Sequence, residues 1–132
     1  MFPRIDKGPI EYSLEIGAAW NVPAKRECLR FQFRTTEDFH HFQYHIAIDH
    51  KQKRNTMEIT LKGLKTGDLT LPATGKAEGT VDFFDLDGEY DVVIVKPGNV
   101  RNAFRIAARN NKATLLADVS QTDPFLTIEI HE

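Results

Sequence analysis

Period-two alternation dominates the chain. Leu29, Phe31 and Phe33 alternate with Cys28, Arg30, Gln32 and Arg34. Phe42, Tyr44, Ile46 and Ile48 alternate with His41, Gln43, His45 and Asp49, and Met57, Ile59 and Leu61 with Thr56, Glu58, Thr60 and Lys62. Successive strand side chains point to opposite faces, so each segment predicts a strand with one face on a core and one in water. Ile10, Tyr12, Leu14 and Ile16 alternate with Glu11, Ser13 and Glu15, which predicts a strand within 10–20 that ends as a turn. Further strands are predicted at about 102–108, 113–119 and 125–130 from the same signal.

The later strands are more apolar. Val81 to Leu86 leads into Asp87-Gly88 and then Glu89 to Val95. Asp-Gly between two β-rich runs predicts a hairpin, because both residues tolerate positive φ. Val92 to Val95 is apolar on both faces and belongs in the middle of a sheet or at an interface. Lys96-Pro97-Gly98-Asn99 reads as the next turn. One helical turn is expected at 36–40, capped by Thr35 or Thr36. Connections this short favour antiparallel neighbours, since parallel pairs need longer crossovers. The expected fold is therefore all-β: an antiparallel β-barrel or β-sandwich of about eight or nine strands with little helix.

Composition narrows the picture. The 132 residues suit a single domain, residues 1–132. With 41% apolar residues, including nine Phe, the chain has material for a packed core. A net charge of −2 gives no field that would draw the whole domain to nucleic acid or an anionic membrane. The one cysteine, Cys28, forms no internal disulfide, which fits a reducing intracellular compartment. No apolar run approaches the ~20 residues of a membrane-spanning helix. The opening residues lack the long apolar stretch of a secretory signal.

Candidate chemistry is sparse. His40, His41, His45 and His50 cluster in sequence. On a strand, however, His41 and His45 stand roughly 13 Å apart, whereas zinc needs donors ~2.0–2.1 Å from one point. They are weak metal candidates, and solvated surface histidines are the plainer reading. Asp85-Leu86-Asp87-Gly88-Glu89 resembles a calcium loop only until its twelfth position, which is Lys96. Neither a P-loop nor a nucleophile elbow is present. Cys28 is placed on a polar face beside Arg30, which would lower its pKa, and a stray surface or edge cysteine is the plainer reading. Lys51-Gln52-Lys53-Arg54 reads as a solvated hairpin loop, with phosphate contact as the sharper reading. Arg101 and Arg105 share a strand face, with Arg109 next in the series, as a basic stripe or an ordinary outer surface. No catalytic residue and no cofactor are expected.

Surplus apolar surface is the more informative feature. Adjacent pairs such as Phe83-Phe84, Leu115-Leu116 and Phe125-Leu126 place large groups on both faces of a strand. The second face must be covered by the chain itself or by a partner. Expected interface residues are Trp20, Arg30, Phe31, Phe84, Val93 and Val95, with Phe84 preferred because Phe83 can fill the core.

Leu29-Arg30-Phe31-Gln32-Phe33-Arg34 resembles the Ile-Arg-Tyr-x-Phe/His-Lys-Pro signature of the ELL-associated factor family, with Thr35 standing where the signature has Pro. Glu11-Tyr12-Ser13-Leu14-Glu15-Ile16-Gly17 is similar to the family's opening strand. Met57-Glu58-Ile59-Thr60-Leu61 is similar to its middle strand, and Val81 to Asp85 with Tyr90 to Val93 to its late hairpin. These colinear matches span roughly residues 5–106, and the strands after Ala108 have no counterpart. The resemblance implies a barrel that heterodimerises with an ELL-type elongation factor, as in the dimerisation module of TFIIF. It implies a nuclear, non-enzymatic role in RNA polymerase II elongation. Two readings from other classes stand beside it: a carbohydrate- or small-ligand-binding β-sandwich, and a metalloenzyme built on His41 and His45.

Overall fold

The computed structural model describes residues 11–39, 44–66, 75–118 and 124–131. Among them run nine strands: β1 (Tyr12–Asn21), β2 (Arg26–Phe39), β3 (Tyr44–Lys53), β4 (Thr56–Thr66), β5 (Gly75–Phe83), β6 (Gly88–Lys96), β7 (Val100–Arg109), β8 (Lys112–Asp118) and β9 (Leu126–Ile130). All belong to one sheet, in the order β8-β7-β6-β4-β3-β5-β2-β1-β9. The sheet curls until its end strands, β8 and β9, approach each other, giving a nearly closed barrel.

The alternating pattern fills the interior. Leu14 and Ile16 of β1, Phe31 and Phe33 of β2, Ile59 of β4 and Ile94 of β6 are fully buried. Phe31 and Phe83 meet edge to face at 5.2 Å between ring centroids, a favoured aromatic geometry. The hairpin turns follow local chemistry. Asn110 and Asn111, both at positive φ, join β7 to β8, as a two-residue turn of the I′ kind requires. Gly98 and Asn99, also at positive φ, make the turn expected after Lys96.

Four expectations are corrected. First, the sheet is mixed. Five of its eight pairings are antiparallel, but β4–β6, β1–β9 and the single β3–β5 pair His45↔Glu78 are parallel. An intervening strand supplies the crossover: β5 lies in sequence between β4 and β6, and β4 between β3 and β5. Secondly, Asp87-Gly88 does not close a hairpin. β5 lies between β2 and β3, and β6 between β4 and β7. Positive φ at Asp85 and Gly88 does turn the chain there, but it leads across the barrel. Thirdly, β2 runs through Phe39 where a helical turn was expected. The Thr35 hydroxyl accepts the Ala77 N–H at 3.0 Å beside a register shift between Arg34 and Asp38, so it serves a bulge rather than a helix cap. Finally, β1 stays extended to Asn21, and the turn follows it.

Closure of the barrel centres on Phe125. Its N–H donates to Asn102 Oδ1 at 2.9 Å, and its carbonyl accepts the N–H groups of Glu11 and Tyr12 at 2.9 and 3.1 Å. Its ring lies edge-on to Tyr12 at 6.2 Å, and Lys96 Nζ sits 5.2 Å from the ring centroid. One buried residue thus joins β7, β1 and the start of β9.

Candidate functional site

The barrel remains open along one line. Among the described residues β8 pairs only with β7, and β9 only with β1. The outer edge of β8 therefore presents a row of backbone donors and acceptors to whatever lies alongside. Leu115 is 39% exposed and Leu116 45%. Their adjacency on the surface has a backbone cause. Ile106 pairs with Leu115 while Arg105 pairs with Ala117, so Leu116 is the extra residue of a bulge.

Other exposed groups lie near the end of β1, the start of β2 and the end of β5. Trp20 is 55% exposed, and Val22 in the turn beyond it is exposed too. Arg30 holds Asp82 through Nε–Oδ1 at 2.7 Å and Nη2–Oδ2 at 2.9 Å, and Asn21 Nδ2 donates to Asp82 Oδ2 at 2.8 Å. These hydrogen bonds, Arg30 first, hold the Asp82 carboxyl below its ordinary range against the opposing effect of burial. Phe84 lies half-buried on the outer face, with the Arg26 guanidinium 4.7 Å from its ring centroid. Cys28 also belongs to the outer set by alternation, yet it is fully buried. Both the surface position and the lowering by Arg30 are corrected: burial, and then Asp82, push its pKa up.

The outer face of β6 is covered from within the chain. Val93 stands between Glu58 and Ala103, and Val95 between Thr60 and Arg101. The Arg101 Nη1–Glu58 Oε2 bridge, at 2.9 Å, therefore crosses β6 diagonally over the two valines. Val95 is buried and Val93 half-buried. Hydrogen bonds from Arg101 and Lys51 hold Glu58 below the usual carboxylate range. The arginine series is matched residue by residue: Arg101 with Glu58, Arg105 with Asp91 at 2.9 Å and Arg109 with Asp87 at 3.3 Å. Paired in this way, it is an ordinary outer face with no net basic stripe.

The six expected interface residues thus divide. Arg30 and Phe84 lie on the outer face, Trp20 projects from the opposite face of β1 to Asn21, and Val93 and Val95 lie on β6. Phe31 is wholly inside the core and offers nothing to a partner, so it leaves the set. The sequence marks the Leu115-Leu116 pair as two-sided, and both are exposed at the bulge in β8.

Of the histidine cluster, His40 and His41 lie outside the described residues. His45 is exposed on β3, and His50 rests edge-on against Phe83 at 5.4 Å. The donors that converge among the described residues are Glu15, Glu129 and His131, on β1 and at the end of β9. Sequence spacing gave no hint of them, because a long-range parallel pairing brings them together. A groove of about 710 Å³ opens beside the β3–β4 turn, lined by Lys51, Lys53, Arg54, Thr56 and Glu58. Its wall is formed by the stems and charged heads of these side chains, without the large hydrophobic and aromatic residues usual in a small-molecule pocket.

Comparison of the chain with protein-family models, with curated proteins and with solved structures finds no match.

Proposed function

We propose that this domain is a non-catalytic protein-interaction module that heterodimerises through the open edge of β8. The observation that carries the reading is the conjunction of Leu115 and Leu116, both exposed, with a strand edge that has no hydrogen-bonded neighbour among the described residues. A partner strand laid along β8 would satisfy the edge backbone and cover the two leucines in one step, the usual economy of strand addition. Trp20, exposed near the end of β1, offers a second contact of the aromatic kind enriched at interfaces.

The resemblance to the ELL-associated factors selects the partner to test first, the N-terminal domain of an ELL-type elongation factor. The associated role is nuclear support of RNA polymerase II elongation. Of the quoted segments, those in β4 and β6 are neighbours in the sheet, and the one in β2 lies beyond β3 and β5.

The test is to mix the purified domain with that partner and follow complex formation by light scattering and hydrogen exchange. A 1:1 complex that protects the amides of 112–117 is expected. Leu115→Lys with Leu116→Lys should remove the complex and leave the free domain folded. A complex that protects other strands and tolerates the double variant would refute the β8 edge. Failure of any ELL-type domain to bind would remove the assigned partner.

A further inference from the structure

We infer that Glu15, Glu129 and His131 form a binding site for a divalent transition-metal ion, with zinc as its natural occupant. The inference does not depend on the proposed partner; its residues belong to β1 and the end of β9 rather than to β8.

The site follows from the register of the β1–β9 pair. Glu15 is the cross-strand partner of Glu129, and Ile16 of Ile130. The next step of the ladder sets His131 beside Gly17, and the His131 N–H donates to the Ile16 carbonyl at 2.8 Å. Alternation puts Glu15, Gly17, Glu129 and His131 on the same outer face. A Cβ on Gly17 would stand 3.2 Å from the His131 Cβ. The bare glycine therefore leaves room for the imidazole, whose Nε2 reaches within 3.5 Å of Glu15 Oε1.

One donor atom from each of the three side chains lies within 4.8 Å of the others. Around a tetrahedral zinc the donors stand roughly 3.3 Å apart, given bonds of ~2.0–2.2 Å. Closing that gap takes small side-chain rotations. All three side chains reach solvent and are not packed against such movement, with Glu15 34% and His131 55% exposed.

Electrostatics favours a cation there. Two carboxylates directly opposite on neighbouring strands repel each other. Arg34 relieves only part of this: its Nη1 is 3.6 Å from Glu15, while its Nε is engaged by Glu78 at 2.8 Å. A dication between the two carboxylates offsets both charges. The imidazole decides its type. Calcium and magnesium prefer all-oxygen shells, whereas one nitrogen with two carboxylate oxygens suits zinc and its first-row neighbours. Water completes the coordination.

The test is titration of the tag-free domain with zinc chloride by calorimetry, with melting followed in parallel. One equivalent of zinc is expected to bind and raise the melting temperature, and magnesium at the same concentration to do neither. His131→Ala and Glu129→Gln change exposed side chains and should leave the metal-free fold intact by circular dichroism. Each should weaken zinc by more than the ~10–100-fold lost when an outer-shell partner of a metal ligand is removed. Absence of zinc binding overturns the inference. So does zinc binding that both variants retain, which would place the metal elsewhere on the chain.

Discussion

Arg30 and Asp82 face each other across the β2–β5 ladder and are joined by two near-parallel hydrogen bonds of 2.7 and 2.9 Å. The Asp82 side chain is only 13% exposed. A bidentate, partly buried pair of this kind fixes the register of its two strands as well as adding energy. Leu29↔Phe83 and Phe31↔Val81 flank it, so the outer pair and the inner core specify the same alignment.

Asp82→Asn should therefore destabilise the domain by about 1–3 kcal/mol at neutral pH, the usual cost of leaving a charged hydrogen-bonding group short of its partner. The folded pKa of Asp82 is depressed, so its contribution is present above the ordinary carboxylate pKa. It is lost as pH falls through the lower folded value. Urea unfolding at neutral pH should separate wild type from variant, and the gap should shrink in strong acid. A gap that stays constant with pH would assign the loss to packing.

Cys28 gives a second, chemical readout of the same region. Burial and the neighbouring Asp82 keep its thiol protonated, and the thiolate is the reactive form. A disulfide reagent at mildly alkaline pH should modify the native domain far more slowly than the urea-unfolded chain. Fast native labelling would mean that the outer face over Cys28 opens.

Gly79 marks the closest approach of β3 and β5. A Cβ there would lie 2.7 Å from the Ile46 carbonyl oxygen and 2.8 Å from Ile48 Cδ1. Backbone on one side leaves little room to relax. Gly79→Ala should cost about 1–3 kcal/mol, the range for forcing extra volume into a packed site. A thermal melt of the variant checks it, and an unchanged melting temperature would show that the two strands separate freely.

Strand identity was legible because alternation is a local signal. The inner faces of β1, β2 and β4 match the alternating residues, and Phe83 is buried while Phe84 is only half-buried. Neighbour relations were not legible. Asp87-Gly88 carries the local chemistry of a hairpin, yet β6 passes β5 to pair with β4, and that choice rests on contacts far apart in sequence. For the same reason Glu15 and His131 could not be connected in advance. The two-sided strand β6 shows a further limit. Its outer valines suggested a partner, but the Arg101–Glu58 bridge from the flanking strands covers them, through long charged side chains whose apolar stems shield a surface.

Asn102 is the residue on which barrel closure depends most directly. It is buried in β7, its Oδ1 accepts the Phe125 N–H at 2.9 Å and its Nδ2 donates to the Arg101 carbonyl at 2.9 Å. Asn102→Ala removes the acceptor and leaves a buried N–H unpaired, a penalty of about 1–3 kcal/mol. The loss should be local before it is global. Amide exchange at Phe125 and along β9 should quicken, because among the described residues β9 is an edge strand hydrogen-bonded in the sheet only to β1. The β3–β4 hairpin, on the far side of the sheet order, should keep its protection. Equal acceleration throughout would mean that the barrel opens only as a unit, and unchanged exchange at β9 would show that β1 suffices to hold it.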